Sequence, residues 1–126
     1  MKLNHDCIRD LLLEIEEKKP FETMLVTYNF QDYEVYKNYN FKELMYCLSK
    51  LNEAGILDAR VDIANNNINY YQIGNITFYG HEFLDNIRDD ETWNEVKRVA
   101  KQTSSMSVTL LSRLAFQYLS KKFNLT

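Results

Sequence analysis

Residues 40–77 read NFKELMYCLSKLNEAGILDARVDIANNNINYYQIGNIT, and this stretch divides into a helix, a stop and a hairpin. Asn40 followed three residues later by Glu43 has capping-box spacing, with a side-chain acceptor for the first free N–H groups of a helix. Leu44, Leu48 and Leu51 then fall on one helical face. The helix ends at Gly55, because glycine enters left-handed backbone without a Cβ penalty. Ile56–Ala64 and Ile68–Thr77 are extended runs, and Asn65, Asn66 and Asn67 between them tolerate left-handed turn conformations.

Toward the N-terminus, Asn4 is placed to cap a first helix whose apolar residues Ile8, Leu11, Leu12 and Ile15 recur at helical spacing, and Pro20 stops it. Met24, Val26, Tyr28 and Phe30 alternate with Thr23, Leu25, Thr27 and Asn29, which predicts a strand from Phe21 to Phe30. Gln31–Tyr39 is a short, tyrosine-rich connector in which no clear helix is expected. Toward the C-terminus, a Phe78-Tyr79-Gly80 turn leads into a helix with Phe83, Leu84 and Ile87 inside, ending near Arg88. Asp90 is the expected cap of the next helix, which carries Trp93, Val96, Val99 and Ala100. Thr103-Ser104-Ser105 breaks it, and a last helix from about Ser107 to Phe123 buries Leu110, Leu111, Leu114, Tyr118 and Leu119.

The order helix, strand, helix, hairpin, helix predicts an α+β winged helix over residues 1–88, with the hairpin as wing and Phe41–Leu57 at the recognition position. Residues 89–126 form a C-terminal helical extension that docks or dimerises. LSKLNEAGIL (48–57) resembles the hLxxLxxAGhL signature of bacterial winged-helix proteins, and ITFYGHEFL (76–84) resembles their LTxxGxxFL step out of the wing. The opening MKLNHDCIRDLL, the block GHEFLDNIR (80–88) and Trp93 resemble the domain-of-unknown-function family numbered twenty-five thirteen, over nearly the whole chain. That resemblance implies a winged-helix fold and a phage or prophage setting, and it carries no catalytic residue with it.

With 126 residues, 45% hydrophobic and 26% charged, the chain has ordinary globular usage, and it is neither disordered nor collagen-like. One proline, three glycines and no apolar run near the roughly 20 residues of a membrane helix predict a soluble, regular structure with no membrane partner. The opening residues contain no apolar signal region, so no secretory leader is expected. Two cysteines, Cys7 and Cys47, are too few for a disulfide scaffold and fit a reducing cytoplasm.

Charge is uneven. Residues 1–89 hold nine Lys/Arg against fifteen Asp/Glu, and residues 90–126 hold six against three. Since duplex binding rests on neutralising phosphates, the acidic body argues against it. The leading expectation is a non-enzymatic protein that binds a host or phage protein through Tyr33, Tyr36, Tyr46, Glu43 and Glu53, with tyrosine supplying amphipathic contact area. The alternative is a winged-helix DNA-binding regulator using Lys42 and Lys50 on the recognition helix, Asn66 and Asn67 on the wing, and Lys97, Arg98 and Lys101 as phosphate contacts. The apolar faces of the C-terminal helices need a cover, so these helices either dock on the domain or pair two copies of the chain as a homodimer. His81, Asp85 and Asp89 share a helix face, yet two or three such residues without an HExxH or CxxC motif do not predict a metal site. No cofactor, nucleophile motif or phosphate loop is expected, and hence no enzymatic activity.

Overall fold

A computed structural model describes residues 1–103 and 107–124 of the chain; among these it has seven helices and one two-stranded antiparallel sheet. It forms two compact units, Met1–His81 and Glu82–Thr126.

In the first unit, helix α1 (His5–Lys18) starts at Asn4, whose Oδ1 accepts from the Cys7 N–H at 3.1 Å. It buries Ile8, Leu11, Leu12 and Ile15, the row its spacing predicts. The expected strand at Phe21–Phe30 is corrected to one antiparallel bridge, Leu25 to Ile73, with both N–H···O distances 2.9 Å. Helix α2 (Thr27–Phe30) follows at once. Asn29 explains the change: its Oδ1 accepts from Val26 N–H at 2.7 Å and its Nδ2 donates to Met24 O at 3.0 Å. One side chain thus supplies bonds a neighbouring strand would otherwise make.

The connector without a helix is likewise corrected, because helix α3 (Glu34–Asn38) lies within Gln31–Tyr39. Its cause is Glu14 on α1, whose carboxylate accepts from the N–H groups of Glu34 at 2.7 Å and Val35 at 2.9 Å. A buried carboxylate there satisfies N–H groups that a helix start leaves open and favours the positive end of its dipole.

Helix α4 (Phe41–Glu53) is capped as its sequence predicts, with Asn40 Oδ1 accepting from Lys42 N–H at 2.9 Å and Glu43 N–H at 3.4 Å. Leu44, Met45, Cys47, Leu48 and Leu51 are buried, and Gly55 leaves the helix at φ 72°. Strands β1 (Leu57–Ala64) and β2 (Asn67–Ile76) form the predicted hairpin. Its turn is shorter than three asparagines: Asn65 and Asn66 take φ 53° and 64°, while Asn67 pairs with Ala64. Two adjacent positive φ values make the type I′ geometry that matches strand twist.

Helix α5 (Phe78–Ile87) begins earlier than expected, its first turn being the Phe78-Tyr79-Gly80 segment. Thr77 Oγ1 accepts from Gly80 N–H at 2.9 Å and donates to Gly55 O at 2.6 Å. A Cβ on Gly80 would lie 2.0 Å from Ile56 O, so only glycine fits.

In the second unit, helix α6 (Asp90–Thr103) is capped by Asp89 rather than Asp90: Asp89 Oδ2 accepts from Thr92 N–H at 2.9 Å and from the Thr92 hydroxyl at 2.8 Å. Ser104 and Ser105, expected in the break, lie outside the described residues. Helix α7 (Val108–Lys122) starts at Ser107 as expected. Its buried row is Leu111, Ala115 and Ser120; Leu110, Leu114, Tyr118 and Leu119 are only half-buried, and Phe116 is exposed. Among the described residues no helix is long and apolar enough to cross a membrane.

Candidate functional site: the groove between α4 and the hairpin

Two turns of α4 present Phe41, Lys42, Met45, Tyr46, Ser49 and Lys50 along one side of a groove of about 670 Å³. Its other side is Val61 and Ile63 of β1 with Asn66, Asn67 and Ile68 of the turn and β2, and Met1 closes one part. Ile63 is 69% exposed and stands directly across the ladder from Ile68. The groove is thus walled by apolar side chains. Its charged groups are two lysines. Lys50 Nζ lies 2.8 Å from Glu53 Oε2 and over the Tyr46 ring at 5.4 Å, whereas Lys42 has no ion pair among the described residues.

The structure brings together Tyr46, Lys42, Lys50, Asn66 and Asn67 of the residues singled out in the sequence. Tyr33 is corrected: it is buried, its ring 5.1 Å from Phe30, with Lys18 above it at 5.4 Å. The cause is α3, which turns the supposed connector into a packed element. Burial also raises the Tyr33 phenol above its ordinary pKa. Tyr36 is half-buried, edge-on to Phe30 at 5.7 Å and Phe41 at 6.2 Å. Glu43 accepts from Asn4 Nδ2 at 2.7 Å and so ties α4 to the start of α1. Glu53 is occupied with Lys50. On α6, Arg98 pairs with Glu95 at 2.5 Å, Lys97 lies over the Trp93 ring at 5.8 Å, and Lys101 is exposed.

Val61, Ile63, Ile68 and Met45 were not among the expected site residues. A signal for two of them exists in LDARVDIA (57–64), where Leu57, Ala59, Val61 and Ile63 alternate with polar residues. The apolar row continues to the tip of the hairpin, beyond Leu57, which is buried, to Ile63, which is not. The row therefore leaves apolar surface exposed at the tip of the hairpin.

Cys7 and Cys47 are buried and unpaired by disulfide, and a hydrogen bond to Cys47 together with burial pushes the Cys7 thiol up, so that it stays protonated. The same hydrogen bond holds the Cys47 thiol below its ordinary value. His81 Nδ1 lies 3.6 Å from Glu16 Oε2. Among the described residues no three His, Cys, Asp or Glu side chains converge as a metal site.

A relative from Haemophilus influenzae, described as an uncharacterized protein, is 30% identical over 116 residues, which span 91% of this chain and 92% of the relative. No solved structure matches. The family described as Hypothetical protein (DUF2513) matches residues 2–107, a range that takes in α1, the capped α4, the hairpin of the groove and α6. On that span the chain belongs to the DUF2513 family.

Proposed function

We propose that this chain is a non-enzymatic, winged-helix-like interaction protein whose α4–hairpin face receives a segment of a protein partner, encoded by a host or a phage. Support for the winged-helix arrangement comes from the order α1, the Leu25 bridge, α2 and α3, α4, β1 and β2, in which Leu25 adds a third strand position beside Ile73. The observation that carries the functional reading is the apolar wall of the groove at the place where a recognition helix and wing would meet a duplex. Phosphates gain nothing from Val61, Ile63 and Ile68, while a protein's apolar side chains gain about 25 cal/mol per Å² removed from water.

DNA binding is the second reading, and the clustering of Lys42, Lys50, Asn66 and Asn67 around one groove favours it. Its weakness is that Glu53 already matches Lys50. Affinity capture from bacterial lysate with the wild-type chain and with Ile63→Ser, beside a titration of random duplex at two salt concentrations, separates the two. The interaction reading expects a saturable protein lost in Ile63→Ser and little duplex affinity. Tight duplex binding that falls steeply with salt and vanishes in Lys42→Glu contradicts it.

A further inference from the structure

The groove's dimensions and charge narrow what fills it. Its α4 wall presents Phe41/Lys42, Tyr46 above the buried Met45, and Ser49/Lys50, a row of three positions one turn apart. From Lys42 to Lys50 the row spans about 12 Å along the helix axis. Anchors at i, i+3 or i+4, and i+7 of a second helix span about 10.5 Å, so a helix lying along α4 meets all three positions in register. The opposite wall, Val61, Ile63 and Ile68, supplies apolar contact without charge.

Electrostatics then selects among such helices. Residues 1–81 hold twelve Asp/Glu against eight Lys/Arg, yet none of those carboxylates lines the groove and two of the lysines do. The groove is therefore a locally positive, apolar strip in an acidic unit. A basic amphipathic helix is drawn to the acidic unit at long range but meets the ammonium groups of Lys42 and Lys50 at contact distance, and an uncharged one leaves the Lys42 ammonium without a counter-charge. We propose that the occupant is an amphipathic helix of a partner protein, with apolar residues at i, i+3 or i+4, and i+7 and carboxylates on its flank, the acidic end lying at Lys42. The proposal rests on the protein-interaction reading above and adds to it the chemistry of the partner. Lys42 dominates over Lys50 because Glu53 already occupies the latter.

The test uses the full chain and two labelled helical peptides of about five turns that share one leucine face, one with glutamate and one with lysine at every flanking position. Fluorescence anisotropy reads the affinities at low and moderate salt. The acidic peptide is expected to bind about tenfold tighter than the basic one at moderate salt, where the long-range field of the acidic unit is screened and the lysine contacts are screened less, and the gap is expected to be smaller at low salt. Lys42→Glu is expected to remove most of that gap, Lys50→Glu less of it, and the double variant to reverse the order. Ile63→Ser, at an exposed position where folding is not at stake, is expected to weaken both peptides about tenfold. Equal affinity for the two peptides, an unchanged order in the double variant, or displacement of the acidic peptide by random duplex overturns the proposal. If the peptides are not distinguished while lysate capture still depends on Ile63, the occupant falls and the interaction reading stands. If capture is independent of Ile63 as well, both fall.

Discussion

Glu14 shows how one carboxylate on α1 decides the form of a segment far along the chain. Burial alone raises its pKa, but hydrogen bonds from Lys18 Nζ at 2.6 Å and from the Val35 and Glu34 N–H groups outweigh that and hold it below the ordinary glutamate range. A folded-state pKa below the unfolded value of about 4.3 makes the contribution full above that pH, and it disappears as pH falls through the lower folded value. Glu14→Gln is expected to cost about 1–3 kcal/mol at neutral pH and to flatten the acid limb of stability below about pH 5, measured by thermal unfolding across pH. Gly80 is the second such residue. Gly80→Ala drives its new methyl into Ile56 O, and an expected loss of about 2–4 kcal/mol is checked by denaturant titration at constant m. Neither effect depends on the groove.

The legibility of the elements tracks how local their causes are. α1, α4 and the hairpin were readable because Asn4, Asn40, Gly55 and the asparagine turn act on their own neighbours and the leucine rows repeat within each element. α2 and α3 were not. Alternation from Met24 to Phe30 imitates a strand, and only Leu25 keeps a strand partner while Asn29 closes the backbone on itself. α3 depends on acceptors from Glu14, which no window around Tyr33–Tyr39 contains. The groove divides the same way: the sequence of α4 and of the hairpin makes each of its sides legible, but its apolar character needs both sides at once. The hairpin turn gives an element-scale prediction. Asn66 sits at φ 64°, so Asn66→Val is expected to lose about 1–2 kcal/mol and Asn66→Gly to be neutral or stabilising, as seen in the midpoint of thermal unfolding.

For the whole molecule, the balance of charge and apolar surface decides what it meets. The acidic excess of residues 1–89 lies against duplex binding, and the basic excess of residues 90–126 is partly spent internally, as in Arg98 with Glu95 and Lys122 with Glu91 at 3.4 Å. Phe116 and Phe123 are 60% and 59% exposed, the apolar surface on which a homodimer through the C-terminal helices would rest. If that pairing holds, sedimentation gives a dimer that Phe116→Ser shifts to monomer; a monomeric wild-type chain ends the idea. The central claim is that the face formed by α4 and the hairpin binds protein rather than nucleic acid. Backbone amide NMR of the full chain, titrated in parallel with the acidic amphipathic peptide and with random duplex DNA, addresses it directly. Saturable shifts at Lys42–Lys50 and Val61–Ile68 with the peptide, and none there with duplex, are the predicted result. Duplex-induced shifts at those same residues that weaken steeply with salt, with the peptide leaving them unmoved, would contradict it.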